Sequence, residues 1–326
     1  MMLDVLIIGC GNIAGGFDAE RFNTATPFSH AGAYCAHGGY RLRACVEPDE
    51  IRRRAFQRRW QVETAFANLE QAATKGGRYD VVSICSPTPF HAQDLRAVLK
   101  MQPRLVFCEK PFTANLEEGR ELVAAYFKAG IPLLVNYTRR WDPRVRALAA
   151  ELARGDWGQV RAAIGCYNKG LYNNGSHMLD LLEFLLGPLV VLAAGFPCTD
   201  MWAADPSIPA MLISASGVPV TLNCGHAGDY ALFELELITE HGAVKMENGG
   251  LDWKVRRATP STNFAGYQAL GPASHEEGAI GGAALSAVTE IQSILVGGAL
   301  PSCSADHALA VQELCETIRA ASRQPT

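Results

Sequence analysis

Residues 3–14 read Leu-Asp-Val-Leu-Ile-Ile-Gly-Cys-Gly-Asn-Ile-Ala, a short apolar run followed at once by two glycines. The run has the length and composition of a buried strand. The residues after it match the pattern G-x-G-x-x-G/A, in which the first glycine allows a tight turn, the second lets the backbone approach a pyrophosphate, and the small third residue lets a helix pack on the strand. The N–H groups at the start of that helix would face the phosphates. We therefore predict a dinucleotide-binding turn formed by Gly9, Gly11, Asn12, Ile13 and Ala14.

Short runs rich in Val, Ile and Leu alternate with helix-like stretches through the first part of the chain. Apolar runs of this kind are typical of parallel strands covered on both faces, and their alternation with helices indicates a doubly wound α/β sheet, the Rossmann arrangement. The predicted strands are Leu3–Ile8, Arg41–Val46, Val81–Ser86, Leu105–Cys108 and Pro132–Asn136. The predicted helices are Asp49–Arg59, His91–Lys100 and Leu116–Ala129.

The second part of the chain has a different pattern. Residues 232–238, Leu-Phe-Glu-Leu-Glu-Leu-Ile, alternate apolar and acidic side chains, which is typical of an antiparallel strand with one wet face. We expect an NAD(P)-binding domain over residues 1–138 and an α+β substrate and oligomerisation domain over residues 139–326. The predicted strands are Gln159–Asn168, Val220–Gly225, Tyr230–Thr239, Ala243–Glu247 and Leu251–Arg257, the predicted helices are Arg144–Arg154, Ser176–Leu186, Ala279–Val296 and Ala305–Ser322, and residues 259–280 are predicted to form a long loop.

The bulk properties exclude several classes of protein. The chain has 326 residues, 48% hydrophobic and 19% charged, with a net charge of −4. This balance is that of a globular protein, and the absence of a basic bias argues against nucleic acid as a partner. The longest apolar runs are short or broken by Gly and Pro, so we expect no membrane span and a cytoplasmic location. The ten cysteines show no C-x-x-C spacing, and we expect neither a metal site nor a disulfide framework.

The choice between NAD and NADP depends on the end of the second strand. Glu47 stands there, and in this fold such a carboxylate binds the adenosine ribose hydroxyls, which favours NAD. It follows Gly11 by about 36 residues rather than the usual 20 or so, which places an insertion at residues 17–28 beside the cofactor. A cluster of arginines follows Glu47 and either binds a 2′-phosphate or forms a solvated helix face. These arginines are Arg52, Arg53, Arg54, Arg58 and Arg59.

A lysine ends the strand at residues 105–108. Glu109, Lys110 and Pro111 follow that strand directly, and the carboxyl ends of parallel strands face the ligand crevice. Pro111 restricts Lys110 to an extended backbone, and the bond between them is a candidate for the cis form.

Five motifs occur in a fixed order along almost the whole chain. They are Gly9-Cys-Gly-Asn-Ile-Ala, Ser86-Pro-Thr-Pro-Phe-His, Glu109-Lys-Pro, Asn136-Tyr-Thr-Arg-Arg-Trp-Asp-Pro and Gly175-Ser-His-Met-Leu-Asp. The set resembles the Gfo/Idh/MocA family, which includes glucose–fructose oxidoreductase and inositol dehydrogenase. The resemblance implies a second domain with a large, mostly antiparallel sheet. It also implies hydride transfer between NAD or NADP and a secondary alcohol or ketone of a sugar, cyclitol or nucleotide sugar.

The resemblance also assigns candidate catalytic residues. The lysine of the family's E-K-P motif is similar to Lys110, which would contact the nicotinamide ribose and the reacting oxygen, and the histidine of its H-x-x-D motif is similar to His177, with Asp180 three residues later. The family often has an aspartate where this chain has Asn173. Asparagine forms hydrogen bonds but takes up no proton at neutral pH, so either His177 and Lys110 suffice, or the chemistry is altered, or turnover has been lost.

Charge considerations give these residues roles. Oxidation of an alcohol releases a proton, and histidine has a pKa suited to accept it, whereas a lysine cation stabilises a developing alkoxide. We assign His177 as general acid/base and Lys110 as electrostatic stabiliser, with the exchanged roles as an alternative. The helix that carries His177 and Asp180 would be capped by Asn174 or Ser176.

The remaining candidates are assigned by position. We expect further cofactor contacts from Ser86, Pro87, His91 and Glu109 and substrate contacts from Arg139, Trp141, Tyr167, Lys169, Asn174 and Asp180, in addition to Lys110 and His177. A cation at Lys169 would suit an anionic substrate. His30 is a weaker candidate.

Two further functions stay open beside the sugar oxidoreductase. One is an NAD(P)-binding protein with little turnover, a sensor or partner subunit, and the other is a reductase of another carbonyl or imine. An exposed antiparallel sheet favours pairing across a two-fold axis, so we expect a homodimer or homotetramer.

Overall fold

The computed structural model describes residues 2–21 and 25–322. Within them the chain forms two compact units: residues 2–141 with 281–309, and residues 142–280 with 310–322. The first break lies close to the boundary predicted after residue 138. The return of residues 281–309 to the first unit was not predicted, because it depends on packing between segments far apart in the sequence.

The first unit contains a sheet of six parallel strands in the order β3-β2-β1-β4-β5-β6. This is the Rossmann order, and its reversal between β1 and β4 creates a crevice at the carboxyl ends of the strands. The central strands β4 and β5 are fully buried, as their unbroken apolar sequences predict. The strands are β1 Leu3–Ile8, β2 Tyr40–Val46, β3 Thr64–Phe66, β4 Val81–Ile84, β5 Leu105–Cys108 and β6 Leu133–Val135. The doubly wound fold is therefore confirmed.

Helices cover this sheet and begin at polar caps. The side chains of Ser29, Asp49, Asn68 and Asn115 each accept a hydrogen bond from a backbone N–H in the first turn of the helix that follows. The helices are α1 His30–His37, α2 Glu50–Trp60, α3 Leu69–Lys75, α4 Thr88–Met101 and α5 Leu116–Ala129. The β3–α3 unit was missed in the sequence because both elements are short and polar.

The glycine turn is not followed directly by a helix, contrary to the sequence expectation. Residues 11–18 form hydrogen-bonded turns that end in a short 3-10 helix, Gly16–Asp18, and α1 begins only at His30. The predicted insertion at residues 17–28 accounts for this separation, although its residues 22–24 lie outside the described part of the chain.

One helix from the end of the chain belongs to the first unit. Helix α8, Ala283–Gly297, packs against α1 and buries Ala283, Ala287, Val288 and Ile291. The segment Ile280–Gly297 is long and apolar enough to cross a membrane by length and composition alone. The sequence analysis predicted no such stretch. Because α8 packs on α1, one face of this segment lies in the core of the first unit.

The second unit contains a large, mixed and mostly antiparallel sheet, as expected. Its strands follow the order β16-β15-β14-β13-β7-β12-β11-β8, with β17 paired to β15. The pair β7–β12 is parallel, and the hairpin β9–β10 forms a separate small sheet. The strands are β7 Val160–Tyr167, β8 Leu189–Ala194, β9 Cys198–Trp202, β10 Asp205–Ser207, β11 Ala210–Ser214, β12 Pro219–Cys224, β13 Phe233–Thr239, β14 Gly242–Glu247, β15 Asp252–Pro260, β16 Gln268–Leu270 and β17 Ser274–Glu277.

The other helices are α6 Pro143–Arg154, α7 Ser176–Leu186 and α9 Ala305–Ala321, of which residues 305–309 belong to the first unit. Strands β16 and β17 take up seven of the 22 residues 259–280 that were predicted to form a loop. They were missed because each is a short, exposed run without an apolar alternation of its own, and its strand conformation comes from pairing with β15.

Candidate active site

The turn after β1 has the geometry that its two glycines permit. Gly9 has φ +83°, and its N–H donates to the Val46 carbonyl over 2.8 Å. A Cβ at Gly9 would lie 2.7 Å from the backbone nitrogen of Ser86, so only glycine fits. A Cβ at Gly11 would meet no atom within 4 Å. The backbone at Gly11 therefore faces open space, as a turn that holds a pyrophosphate requires.

That open space is a groove of about 380 Å³ at the carboxyl ends of the strands in the first unit. It continues from Glu47 at the end of β2, past the glycine turn, to Glu109 and Lys110 at the end of β5. Its lining is Gly9, Cys10, Gly11, Asn12, Ile13, Phe17, Glu47, Arg52, Cys85, Ser86, Pro87, Thr88, Glu109 and Lys110. Most of the predicted cofactor residues therefore lie in one groove.

Two predicted cofactor residues occupy supporting positions instead. Ala14 is fully buried, so it serves packing beneath the turn. His91 is 1% exposed, and its ring nitrogens lie 2.8 Å from the carbonyl oxygens of Ser86 and Pro111. His91 thus ties the segment after β4 to the segment after β5, and its contact with the cofactor stays a prediction. Its neighbour Asp94, not predicted, accepts a hydrogen bond from the Ser86 hydroxyl over 2.6 Å.

Glu47 is buried and fixed against the glycine turn. One carboxylate oxygen accepts from the Cys10 N–H over 3.0 Å, and the other accepts from the Asp49 N–H over 3.1 Å. The guanidinium of Arg52, 3.5 Å from Glu47, also lines the groove. The position of Glu47 suits hydrogen bonding to two neighbouring hydroxyls and opposes a phosphate.

Three of the other arginines bind groups of the protein itself. Arg53 donates to the Glu47 and Pro48 carbonyls, and Arg54 pairs with Glu50. Arg59 donates to the backbone carbonyls of Asp18 and Ala19. These contacts favour the solvated-helix interpretation of the cluster over a phosphate site.

One buried carboxylate joins the two described ends of the insertion that follows the glycine turn. Asp18 is fully buried and accepts from the backbone N–H groups of Phe28 and Ser29 and from the Ser29 hydroxyl, the last over 2.6 Å. Ser29 in turn caps α1. The chain therefore enters α1 at a defined place, which sets the position of its first residue, His30.

His30 reaches the motif at the end of β5. Its Nε2 lies 2.8 Å from Oε1 of Glu109, and the Asn136 side-chain amide donates to the same oxygen over 2.7 Å. Lys110 follows, half-buried at the groove, and its bond to Pro111 is cis, as predicted from the sequence. The sequence named each of these residues but did not indicate that His30 and Glu109 meet.

The second unit presents His177 at the first turn of α7. His177 is 8% exposed and Asp180 is fully buried, and the two lie one helical turn apart. The helix does not begin at a side-chain cap, contrary to prediction. A π-helical turn, Gly170–Gly175, runs directly into α7, and the Ser176 hydroxyl donates to the Tyr172 carbonyl over 2.7 Å. Neither Asn174 nor Ser176 therefore caps the helix.

Two aspartates from the β9–β10 hairpin hold this π-helical turn. Asp205 accepts from the N–H groups of Tyr172 and Asn173, over 2.9 and 3.0 Å. Asp200 accepts from the N–H of Lys169, which has φ +66°. These carboxylates compensate the unpaired donors at the start of the turn. The sequence analysis did not identify them, because their roles depend on contacts about thirty residues away.

Asn173 uses its side-chain amide within the turn. Its Nδ2 donates to the Lys169 carbonyl over 3.0 Å, a bond that a carboxylate could not provide. The amide at this position is thus part of the local structure, which gives a physical reason for its difference from the aspartate that the family resemblance implies.

Two predicted substrate residues lie in the cores of their units. Tyr167 is fully buried, and its hydroxyl donates to the Ile208 carbonyl over 2.8 Å. Trp141 is fully buried edge-on to Phe107. Their burial gives no support to a direct contact with substrate, and both assignments stay predictions. Arg139, Lys169 and Asn174 are half-buried, and their contacts with substrate stay predictions.

The glycine turn, the carboxylate at the end of β2 and the groove between them define a Rossmann dinucleotide-binding domain. Residues 3–137 match the model of an oxidoreductase family with an NAD-binding Rossmann fold (GFO_IDH_MocA), to which this part of the chain is similar. The resemblance inferred from the ordered motifs is thereby confirmed.

Several relatives are named as sugar or cyclitol dehydrogenases. D-apiose dehydrogenase of Paraburkholderia graminis is 28% identical over 235 residues, 66% of this chain and 62% of the relative. Inositol 2-dehydrogenase of Rhizobium meliloti is 27% identical over 240 residues, 67% of this chain and 72% of the relative. The match to the first thus spans less than two thirds of that relative's own length.

The fold is shared with solved structures over nearly the whole chain. A levoglucosan dehydrogenase in complex with NADH and levoglucosan aligns with a TM-score of 0.81 at 16% identity, covering 98% of this chain and 97% of that one. At this identity the match supports the fold alone.

Proposed function

We propose that this protein is an NAD(P)-dependent oxidoreductase that transfers hydride between nicotinamide and a secondary alcohol or ketone of a sugar, nucleotide sugar or cyclitol. The observation that carries the proposal is the groove that runs from Glu47 past the open backbone of Gly11 to Lys110. The named relatives, which are dehydrogenases of sugars and cyclitols, support the substrate class.

The residues of the groove fit a dinucleotide. The backbone at Gly11 would lie against the pyrophosphate, Glu47 would accept from the adenosine ribose hydroxyls, and Lys110 would lie at the nicotinamide end. When bound, the nicotinamide supplies the carbon that accepts or donates the hydride. NAD is the favoured form, because Glu47 is buried and fixed in place and three of the five arginines bind other groups.

Proton transfer falls to the chain's own side chains. Oxidation of the alcohol breaks a C–H bond and an O–H bond, so a group on the protein must take the O–H proton while charge develops on oxygen. His177 is the proton acceptor and Lys110 the cation that stabilises the oxygen. Asn173 holds the turn that precedes His177 and takes up no proton.

A neutral polyol fits the second unit better than an anionic substrate. The backbone N–H groups at the start of the π-helical turn would bind an anion, but the carboxylates of Asp200 and Asp205 occupy them. Two cations stand near the turn, Lys169 at its start and Arg319, whose guanidinium lies 5.6 Å from the centre of the Tyr172 ring, and neither takes the place of those N–H groups. We therefore rank cyclitols and free sugars before uronates and nucleotide sugars.

The exposed face of the large sheet supports the expected homodimer or homotetramer. Val190, Leu192, Met211 and Ile238 are each at least 40% exposed on its strands. A cytoplasmic location, with neither nucleic acid nor membrane as a partner, completes the proposal.

The test begins with titrations of the pure protein by NADH and by NADPH, followed by nicotinamide fluorescence, after any co-purified cofactor has been removed. A screen of cyclitols, sugars, uronates and nucleotide sugars with NAD⁺ and NADP⁺ then measures turnover. Tight NADH binding and turnover of a neutral polyol are expected. Cofactor binding without turnover on any substrate would favour the sensor or partner-subunit alternative, and binding of neither cofactor would overturn the proposal.

A further inference from the structure

A buried polar cluster lies directly behind Lys110. Three segments supply it: His30 from the start of α1, Glu109 from the end of β5, and Asn136 from the end of β6. His30 and Asn136 both donate to Oε1 of Glu109, over 2.8 and 2.7 Å. Because an ionised carboxylate only accepts, the proton of the first bond belongs to Nε2 of His30. Two donors on one oxygen fix the orientation of the carboxylate.

The cluster is shielded from water. His30 is 3% exposed and Glu109 is 9% exposed, and the His30 ring lies 4.8 Å from the ring of Phe107. A buried carboxylate is costly unless its charge is compensated. Burial alone would raise the pKa of Glu109, but the hydrogen bond and charge of His30, then Asn136 and Lys110, hold that pKa below its ordinary value. Glu109 is therefore a fixed negative charge.

Few charged groups face this carboxylate among the described residues. The thiols of Cys85 and Cys108 are close, and burial first, then the charge of Glu109, raises the pKa of each, so both stay neutral. The groups that lower the pKa of Glu109 are His30, Asn136 and Lys110, and of these Lys110 lines the groove. The charge of Glu109 thus acts on the lysine that follows it in the groove.

We propose that His30 is a positioning residue that acts through Glu109: it holds the Glu109 carboxylate so that Lys110 stays a cation at the groove. This inference rests on the proposed function for its catalytic meaning. It also separates the two roles left open by the sequence, since a lysine kept protonated serves as the electrostatic stabiliser and leaves proton transfer to His177.

The insertion contributes to the same arrangement. Asp18 binds the backbone at Phe28 and Ser29, and Ser29 caps the helix whose first residue is His30. The buried Asp18 thereby fixes the position of His30, and His30 in turn orients the carboxylate of Glu109. The segment between the glycine turn and α1 thus has a structural role in the groove besides lining it with Phe17.

The test measures the protonation of Lys110 without any substrate. The free protein is acetylated briefly with trace acetic anhydride over a range of pH, and the labelling of Lys110 is measured by mass spectrometry against that of the exposed Lys128. The variants are Glu109→Gln, His30→Phe, which keeps a ring on Phe107 but has no donor, and His30→Gln, whose amide nitrogen retains the donor. Thermal melts establish that each variant is folded.

In Glu109→Gln we expect Lys110 to become reactive about 1 pH unit lower than in the wild type, because a neighbouring negative charge has been removed. In His30→Phe the pH at which Lys110 becomes reactive should shift in the same direction. In His30→Gln this pH should equal that of the wild type. A shift below about 0.3 pH unit in Glu109→Gln, or identical behaviour of the two His30 variants, overturns the inference.

NADH titrations of the same samples keep the two proposals apart. Because the labelling uses free protein, a failure to bind NADH would count against the proposed function without changing the labelling result. Conversely, wild-type labelling in every variant of a protein that binds NADH would overturn only the role of His30 and Glu109.

Discussion

The backbone N–H of Cys10 donates to the carboxylate of Glu47 over 3.0 Å, so the acid at the end of β2 is attached to the glycine turn itself. The same carboxylate accepts from the N–H of Asp49. The group that would select between the two cofactors is therefore held by the turn that would bind their shared pyrophosphate.

Cofactor preference should depend on the charge of Glu47. In Glu47→Gln the acceptor oxygen remains but the charge is lost, and we expect NADH to bind about ten-fold more weakly while NADPH binding improves, because a hydrogen bond to a charged group contributes roughly 1.5 to 3 kcal/mol. Fluorescence titration with both cofactors measures the change. Arg52→Ala is the control for a phosphate contact, and a loss of NADPH binding in that variant alone would contradict the preference for NAD.

Gly9 should matter for the stability of the fold, and Gly11 for cofactor binding. Gly9→Ala places a Cβ against the Ser86 backbone at a position with left-handed φ. This variant should lower the free energy of unfolding by roughly 1 to 3 kcal/mol. Gly11→Ala meets no protein atom, so the fold should be unchanged while NADH binds at least ten-fold more weakly. Urea unfolding and NADH titration of both variants measure this. Equal stability of the two variants would contradict the different environments of the two positions.

His177 should be needed for turnover and not for cofactor binding. His177→Gln removes the imidazole proposed as the proton acceptor, and we expect kcat to fall by about 10² to 10⁴-fold with the Kd for NADH unchanged. The exposed His275→Gln serves as the control. A His177 variant with wild-type kcat on the best substrate of the screen would exclude histidine as the acid/base group.

Restoring an aspartate at position 173 should harm the protein. Asn173→Asp removes the donor to the Lys169 carbonyl and places a negative oxygen against it, so we expect a loss of roughly 1 to 3 kcal/mol in stability and no gain in kcat. Asn174→Asp adds the same charge one residue later and is the matched control. A rise in kcat for Asn173→Asp would instead show that the asparagine limits the chemistry.

Glu109 should make the fold sensitive to acid. Its pKa is lowered in the folded state, so its contribution to stability is complete above the unfolded-state pKa of about 4.3 and is lost as the pH falls through the lower folded value. Urea midpoints from about pH 6 to pH 3 should therefore fall less steeply in Glu109→Gln than in the wild type. The exposed Glu70→Gln should keep the wild-type slope, and parallel slopes for all three proteins would contradict the fixed charge.

The local features of the fold could be predicted from the sequence. The glycine turn, the apolar strands of the parallel sheet and α7 each depend on residues within one short segment, and their sequence patterns indicate them. The glycine turn, Glu47, Ser86, Glu109 and Lys110 were placed at the groove for the same reason, since each follows a strand whose direction is fixed by the fold.

Contacts between distant segments could not be predicted. His30 and Glu109 are 79 positions apart, and Asp205 caps a turn 32 residues before it. Neither pair has a local sequence pattern. The burial of Tyr167 and Trp141 could not be predicted either, because an aromatic residue beside a motif has the same sequence pattern whether it fills the core or faces a ligand. Only the packing decides between them.

The segment at residues 281–309 has a consequence for synthesis. Helix α8 covers α1, yet it is made after the whole of residues 142–280. During translation the Rossmann sheet therefore emerges with the α8-facing side of α1 uncovered, and it stays so until residues 283–297 have been made. A nascent or truncated product that ends near residue 280 exposes this apolar seam, which makes it a candidate client for chaperones and a poor choice for expressing the cofactor domain alone.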